Sequence, residues 1–201
     1  AWFGLVEKNP AIPGQGTNMS GHTLKGVAVT TRLIVVDTSY LLELFQVPNC
    51  SDAQAHEQVR LRFEQACDIT HQLHVPLPVL FELGNHIADV KDGQTRRKLA
   101  NLLVESVQSW LSGETPITIV SALDDARTVG DFCAALNGLA GQFANLVPDR
   151  HGLTNTALVM EANRLREKYS DSSLRKYCVH IWTRESRLKA LEPDAEVNAF
   201  V

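Results

Sequence analysis

The run Leu33-Ile34-Val35-Val36, followed at once by Asp37, constrains this chain more than any other feature. Four consecutive apolar residues leave no face for water. They predict a strand covered on both sides, as at the centre of a parallel sheet. Thr38-Ser39-Tyr40-Leu41-Leu42-Glu43-Leu44-Phe45 reads as a helix opening directly behind it. Further helices are expected from Asp52 to about His74, Val79 to about Val90, Gln94 to Leu111 and Leu153 to about Tyr169. In the first of these, Ala55, Val59, Phe63, Ala66 and Leu73 fall near one face. Leu123 to Leu146 reads as helical too, with Gly130, Gly138 and Gly141 as places where it could divide. Ile117–Val120 and Tyr177–Thr183 read as strands, and Ala195–Val201 as an added edge strand. Strands alternating with helices predict an α/β fold whose crossover helices cover a central, mainly parallel sheet.

The chain of 201 residues, 44% apolar and 21% charged, is long enough to bury one core without staples. Residues 1–30 read as an irregular N-terminal extension, because they hold five of the twelve glycines plus Pro10 and Pro13. Trp2, Phe3 and Leu5 there could pack on a neighbour, and Met19 is an alternative start. Residues 31–201 form the expected folded domain, its first strand led in by Arg32. A net charge of −4 excludes a generally basic nucleic-acid coat while leaving room for a local basic groove. No apolar run approaches the roughly 18 residues of a membrane span, and Ala1–Gly16 lacks signal-peptide character. The four cysteines form no CxxC pair and read as reduced, mostly buried thiols of a cytoplasmic protein. His71 and His74 make an HxxH without a second ligand pair, which is too little for zinc.

Four positions carry the functional argument. Asp37 ends the first strand, where open α/β sheets place their ligands, although it could equally cap the next helix. Glu82 stands in the mostly apolar stretch Pro78-Val79-Leu80-Phe81-Glu82-Leu83-Gly84-Asn85. It is either a site residue or a solvated carboxylate on a stripe with Asn85 and Asp89. Asn155 shares a helix face with Leu158, Val159 and Ala162, so it either caps with Thr154 or reaches into a polar site. Glu185 follows a strand and the turn Thr183-Arg184, where a plain surface residue is the simpler reading.

Taken together, the order strand–Asp, helix–Glu, helix–Asn, strand–Thr-x-Glu resembles the PIN-domain family of metal-dependent nucleases. The resemblance covers roughly residues 32–190. It is carried by Val-Val-Asp37-Thr-Ser-Tyr-Leu-Leu, Leu-Phe-Glu82-Leu-Gly-Asn, Gly-Leu-Thr-Asn155-Thr-Ala-Leu-Val-Met-Glu-Ala162 and Ile-Trp-Thr183-Arg-Glu185. It implies that residues 31–201 are a PIN-like nuclease domain with a three-layer α/β/α fold. It also implies a pocket in which Asp37, Glu82, Asn155 and Glu185 hold Mg²⁺ or Mn²⁺ for hydrolysis of RNA phosphodiesters. Hard cations take oxygen ligands, and the metal activates water for in-line attack. Thr38, Ser39 and Thr183 would orient ligands or phosphate, and Arg184 and Arg187, with Lys189, would contact the RNA backbone. Arg96-Arg97-Lys98, Arg164-Arg166-Lys168 and Arg175-Lys176 could add phosphate contacts or be solvated helix faces. The family further implies an endoribonuclease, often a toxin neutralised by an antitoxin-like partner protein, and often a homodimer.

Asn155 departs from that pattern, because the third position is normally Asp. One unit charge at about 4 Å is worth about 4 kcal/mol at an effective dielectric of 20, so weaker metal binding is expected. Glu161, six residues on, points to roughly the opposite helix face and cannot replace it. The Asn is either natural or introduced to silence a harmful nuclease. A non-catalytic PIN-like module that binds RNA or protein is the alternative function. A phosphoacceptor domain using Asp37 lacks the acidic pair and lysine it would need.

Overall fold

A computed structural model of the chain describes residues 30–68, 71–113, 115–121, 126–170 and 176–197. The apolar run becomes strand β1 (Thr30–Val36), whose last four residues are buried. Thr30 therefore belongs to the sheet, and the extension before it lies outside the described residues. Helices α1 (Thr38–Leu44) and α2 (Ala53–Asp68) lead to β2 (Gln72–Pro76). Helices α3 (Leu77–Ala88) and α4 (Gly93–Leu111) lead to β3 (Ile117–Val120). Then α5 (Val129–Leu146), one 3-10 turn (Val147–Asp149) and α6 (Leu153–Tyr169) return the chain to β4 (Lys176–Trp182), and α7 (Ser186–Lys189) follows.

The four strands run parallel in the order β3-β2-β1-β4. The connections progress outward from β1 to β3 and then return to the other side of β1, and with the right-handed crossovers usual for parallel strands this order puts helices on both faces. Side-chain contacts agree with this. Val36 and Trp182 are register partners, and Trp182 stacks on Tyr40 and meets Phe63 of α2 edge-on, each at 5.6 Å. On the opposite face His74, the register partner of Val35, lies 4.0 Å from Glu161 of α6. The result is the expected three-layer α/β/α arrangement with an all-parallel sheet. Its core contains Leu33, Ile34, Val35, Val36, Val179 and Ile181, each at most 1% exposed. Full burial of such side chains stabilises by about 1.5–3 kcal/mol apiece.

Three expectations need correction. The helix expected to reach His74 stops at Asp68, and Gln72–Pro76 is a strand paired with both β1 and β3. Leu73 and Val75 point to one face of it and His74 to the other, so the helical spacing of Leu73 from Ala66 was coincidental. The segment from Leu123 does not open as a helix at once. Residues 122–125 lie outside the described residues, and α5 starts behind Thr128 in a capping box with Asp131. It then runs unbroken through Gly138 and Gly141. Finally, Ala195–Val197 is not a strand, and 198–201 lie outside the described residues. The edge of β4 is closed by side chains instead: Asp194 Oδ2 accepts from Val179 N at 2.8 Å and Glu192 Oε2 from Ile181 N at 3.1 Å. Carboxylates on the free N–H groups block pairing with another strand.

The thiols also differ from expectation. All four cysteines are free, but Cys50, Cys67 and Cys178 are half-buried and Cys133 is exposed. Cys133 sits on α5, a largely apolar helix that has no buried residue, with Phe132 41% and Leu136 43% exposed. Among the described residues, no helix is long and apolar enough to cross a membrane.

Candidate functional site

The strand order reverses between β1 and β4, and ligands of open α/β sheets bind at the carboxyl ends of strands beside such a switch point. Asp37 and Thr183 stand at those two ends. The β1–β4 pairing continues one step further, with Asp37 N donating to Trp182 O at 2.9 Å. Asp37 is the N-cap of α1 and also a buried carboxylate, 4% exposed. The cap role and the site position therefore coincide. Its Oδ2 accepts from Ser39 Oγ at 2.6 Å and from Thr183 Oγ1 at 2.8 Å. Burial pushes its acidity down, raising the pKa; the Ser39 and Thr183 hydroxyls oppose the shift, and nearby Glu185 adds to it.

Two hydroxyls tie this carboxylate to the turn after β4. Thr183 Oγ1, fully buried, donates to Asp37 and accepts from Glu185 N at 3.0 Å. Ser39 Oγ donates to Asp37 and accepts from Arg184 N at 2.9 Å. The position of Glu185 relative to Asp37 is thereby fixed through a short polar relay rather than by a loose loop. Glu82, half-buried on α3, accepts from Thr38 Oγ1 at 2.9 Å and is not a solvated stripe residue. Asn155 lies in the first turn of α6 but does not cap it, because Gly152 is the N-cap. Its Nδ2 donates instead to Glu185 Oε2 at 2.9 Å.

The four expected positions are therefore linked piecewise: Asn155 bonds Glu185 directly, Ser39 and Thr183 tie Asp37 to the turn that carries Glu185, and Glu82 bonds Thr38, the residue after Asp37. The arrangement is an acidic centre in which every contact to a carboxylate is made by a hydroxyl, a backbone N–H or an amide. Among the described residues, no three His, Cys, Asp or Glu side chains are grouped so as to hold a metal ion. The donor types suit a hard cation, being oxygens throughout, while the set is one charge short and Glu185 is already engaged by the Asn155 amide.

The expected basic residues divide. Arg184, itself partly exposed, forms an ion pair with Glu43, which is fully buried, so its guanidinium already has a partner within the protein. Arg187 is exposed and has no hydrogen bond or ion pair among the described residues. Lys189 is held by Glu192 and Glu196, Arg164 by Glu161, Arg166 by Asp194 and Arg96 by the Val90 carbonyl. Arg175 lies outside the described residues. Glu161 stays away from the centre, as helix geometry requires, and is buried between Arg164 and His74. Glu43 was missed by the sequence reading. The available signal was its place among Tyr40, Leu41, Leu42, Leu44 and Phe45, all buried, which leaves a helix without a solvated stripe. No family model matches this chain, and no curated protein matches it either.

Proposed function

We propose that this chain is a PIN-like, Mg²⁺- or Mn²⁺-dependent endoribonuclease attenuated at Asn155. The observation that supports the reading is the pair of links beside the β1–β4 switch point, Thr183 to Asp37 and Asn155 to Glu185, with Glu82 bonded to Thr38. Asp37, Glu82 and Glu185, with the Asn155 carbonyl oxygen, would hold the cation. When bound, it supplies an activated water and neutralises charge on the phosphodiester. Thr183 and Ser39 keep Asp37 aimed at the centre, Thr38 holds Glu82, and the Asn155 amide takes the place of a cation beside Glu185.

That last contact also favours a second reading, a non-catalytic PIN-like module binding RNA or protein, since Asn155 satisfies Glu185 without metal. A protein partner, either an antitoxin-like chain or a second copy in a homodimer, is supported by the exposed apolar residues of α5. Four free thiols fit a reducing, cytoplasmic setting. The deciding experiment compares the chain with Asn155→Asp and Asp37→Ala, measuring Mn²⁺ binding by calorimetry and cleavage of single-stranded RNA. The nuclease reading expects Asp at 155 to tighten Mn²⁺ binding tenfold or more and to raise cleavage, and Ala at 37 to abolish both. If all three stay inert at millimolar Mn²⁺, the binding module replaces it.

A further inference from the structure

Close in sequence to the acidic centre lies a concavity with the opposite charge. A cleft of about 570 Å³ opens between the turn preceding α6 and the outer side of α7, lined by Asp149, Arg150, His151, Arg187 and Leu191 among others. Its two walls are continuous with the centre. Arg150 and His151 run through Gly152 into the turn that carries Asn155, and Arg187 follows Glu185 by two residues on α7. Asn155 and Glu185, hydrogen-bonded at 2.9 Å, thus stand within a few residues of the two walls.

Three features mark the cleft as built for an anion. Arg150 and Arg187 face it from opposite walls, and neither makes a hydrogen bond or ion pair with its side chain among the described residues. His151 lines it while only 5% exposed, an imidazole set in the wall of the cleft. Arg150 also adopts a left-handed conformation, φ 65°, ψ 29°, held by its N–H on the Val147 carbonyl. A non-glycine residue there costs on the order of 1 kcal/mol, and strain of this kind concentrates at functional sites. Asp149 is the one acidic group of the lining, so two guanidinium charges face a single carboxylate.

We propose that this cleft is a phosphate subsite for single-stranded RNA, holding the phosphodiester that neighbours the one at the acidic centre. Arg150 and Arg187 neutralise that phosphate and His151 hydrogen-bonds it. The need is electrostatic. Asp37, Glu82 and Glu185 repel a polyanion, and a strand stays across them only if cations at the rim offset the repulsion. The inference rests on the ribonuclease reading, which it deepens.

The test is binding of a fluorescein-labelled ten-nucleotide poly(U) RNA in EDTA, followed by anisotropy over a range of salt. The proteins are the full chain, Arg150→Gln, Arg187→Gln and Arg60→Gln. Arg60 is a control of equal charge, held by Glu57 and Glu64 on α2. Arg150→Gln and Arg187→Gln should each weaken binding about fivefold and lower the slope of log K against log salt by about 0.7, the value of one single-strand phosphate contact. Arg60→Gln should change affinity less than twofold. Absence of RNA binding by the full chain, insensitivity to both cleft substitutions, or an equal loss at Arg60 would each overturn the subsite. Cleavage by Asn155→Asp with Mn²⁺ is scored separately. Arg-dependent binding without any cleavage keeps the subsite and removes the nuclease, whereas cleavage with Arg-independent binding removes the subsite alone.

Discussion

The Asn155 side-chain amide donates to Glu185 Oε2 at 2.9 Å, across the junction of α6 with the turn after β4. A carboxylate accepts only, so position 155 now supplies a proton where an aspartate would supply a second negative charge. Replacing Asn155 by Asp removes one hydrogen bond and sets two partly solvated like charges against each other. The expected cost without metal is about 1–2 kcal/mol, a fall in Tm of about 3–6 °C. Mn²⁺ should reverse it: at a hundred times Kd a site-bound ion restores about 2.7 kcal/mol. Thermal melts of both proteins with and without Mn²⁺ check this. Equal metal responses would show that position 155 does not face a cation.

Asp37 makes the opposite demand on pH. Burial raises its pKa above the usual aspartate value of 3.8, so between that value and the folded one the native state binds more protons than the unfolded chain. Stability then falls as pH rises through this window, and the charged form is tolerated at neutral pH at a cost. Asp37→Asn keeps an oxygen for Ser39 and Thr183 and removes the charge. It should be the more stable protein at pH 7, and the difference should shrink as pH is lowered toward 4. Urea denaturation at several pH values decides the matter. A stability loss at pH 7 would mean that the two hydroxyls need the charge and outweigh its desolvation.

How much of this was legible beforehand depends on where each residue's partners lie. The continuous run Leu33–Val36 and the periodic stretch Leu153–Tyr169 gave β1 and α6 within a few residues, because burial on two faces or one leaves a direct mark. β2 left almost none. Gln72-Leu-His-Val-Pro is short, and its buried His74 looks solvent-facing in a sequence. The places of Asp37 at a strand end and of Glu82 and Asn155 on helices were legible too. Their linkage was not: Thr38 to Glu82, Thr183 to Asp37 and Arg184 to Glu43 join residues 44, 146 and 141 positions apart. Such pairs become visible only once the sheet order is known.

The last of those pairs yields a third prediction. Glu43 is fully buried, and besides Arg184 it accepts a hydrogen bond from Asp52 N at 2.9 Å. Arg184→Ala would leave a buried carboxylate with its charge uncompensated. Since the Arg184 side chain is itself 38% exposed, a loss of about 2–3 kcal/mol is expected, below the full cost for a wholly buried pair. Arg184→Ala combined with Glu43→Leu should recover most of it. Denaturation of the single and double variants measures the coupling. A single variant of unchanged stability that binds RNA poorly would instead return Arg184 to the phosphate-contacting role expected from the resemblance.

His74 offers the clearest acid-sensitive group outside the site. Burial, with smaller contributions from Arg164 and Lys168, lowers its pKa from 6.5 to about 4, so it is neutral at pH 7 and makes no ion pair with Glu161 4.0 Å away. Both of its ring nitrogens are buried without a hydrogen-bond partner. Between pH 6.5 and about 4 the unfolded chain binds the proton that the folded chain refuses. Stability is therefore lost as pH falls through that interval, by at most about 1.4 kcal/mol per pH unit for one group. Replacing His74 by Leu removes both the titration and two unsatisfied nitrogens, while the sheet face beside Val35 and under α6 accepts an apolar side chain of similar size. The variant should match or exceed the parent at pH 7, by up to about 1–3 kcal/mol, and lose less stability between pH 6.5 and 4.5. A variant that is weaker at pH 7 and keeps the full acid sensitivity would place the titrating group elsewhere.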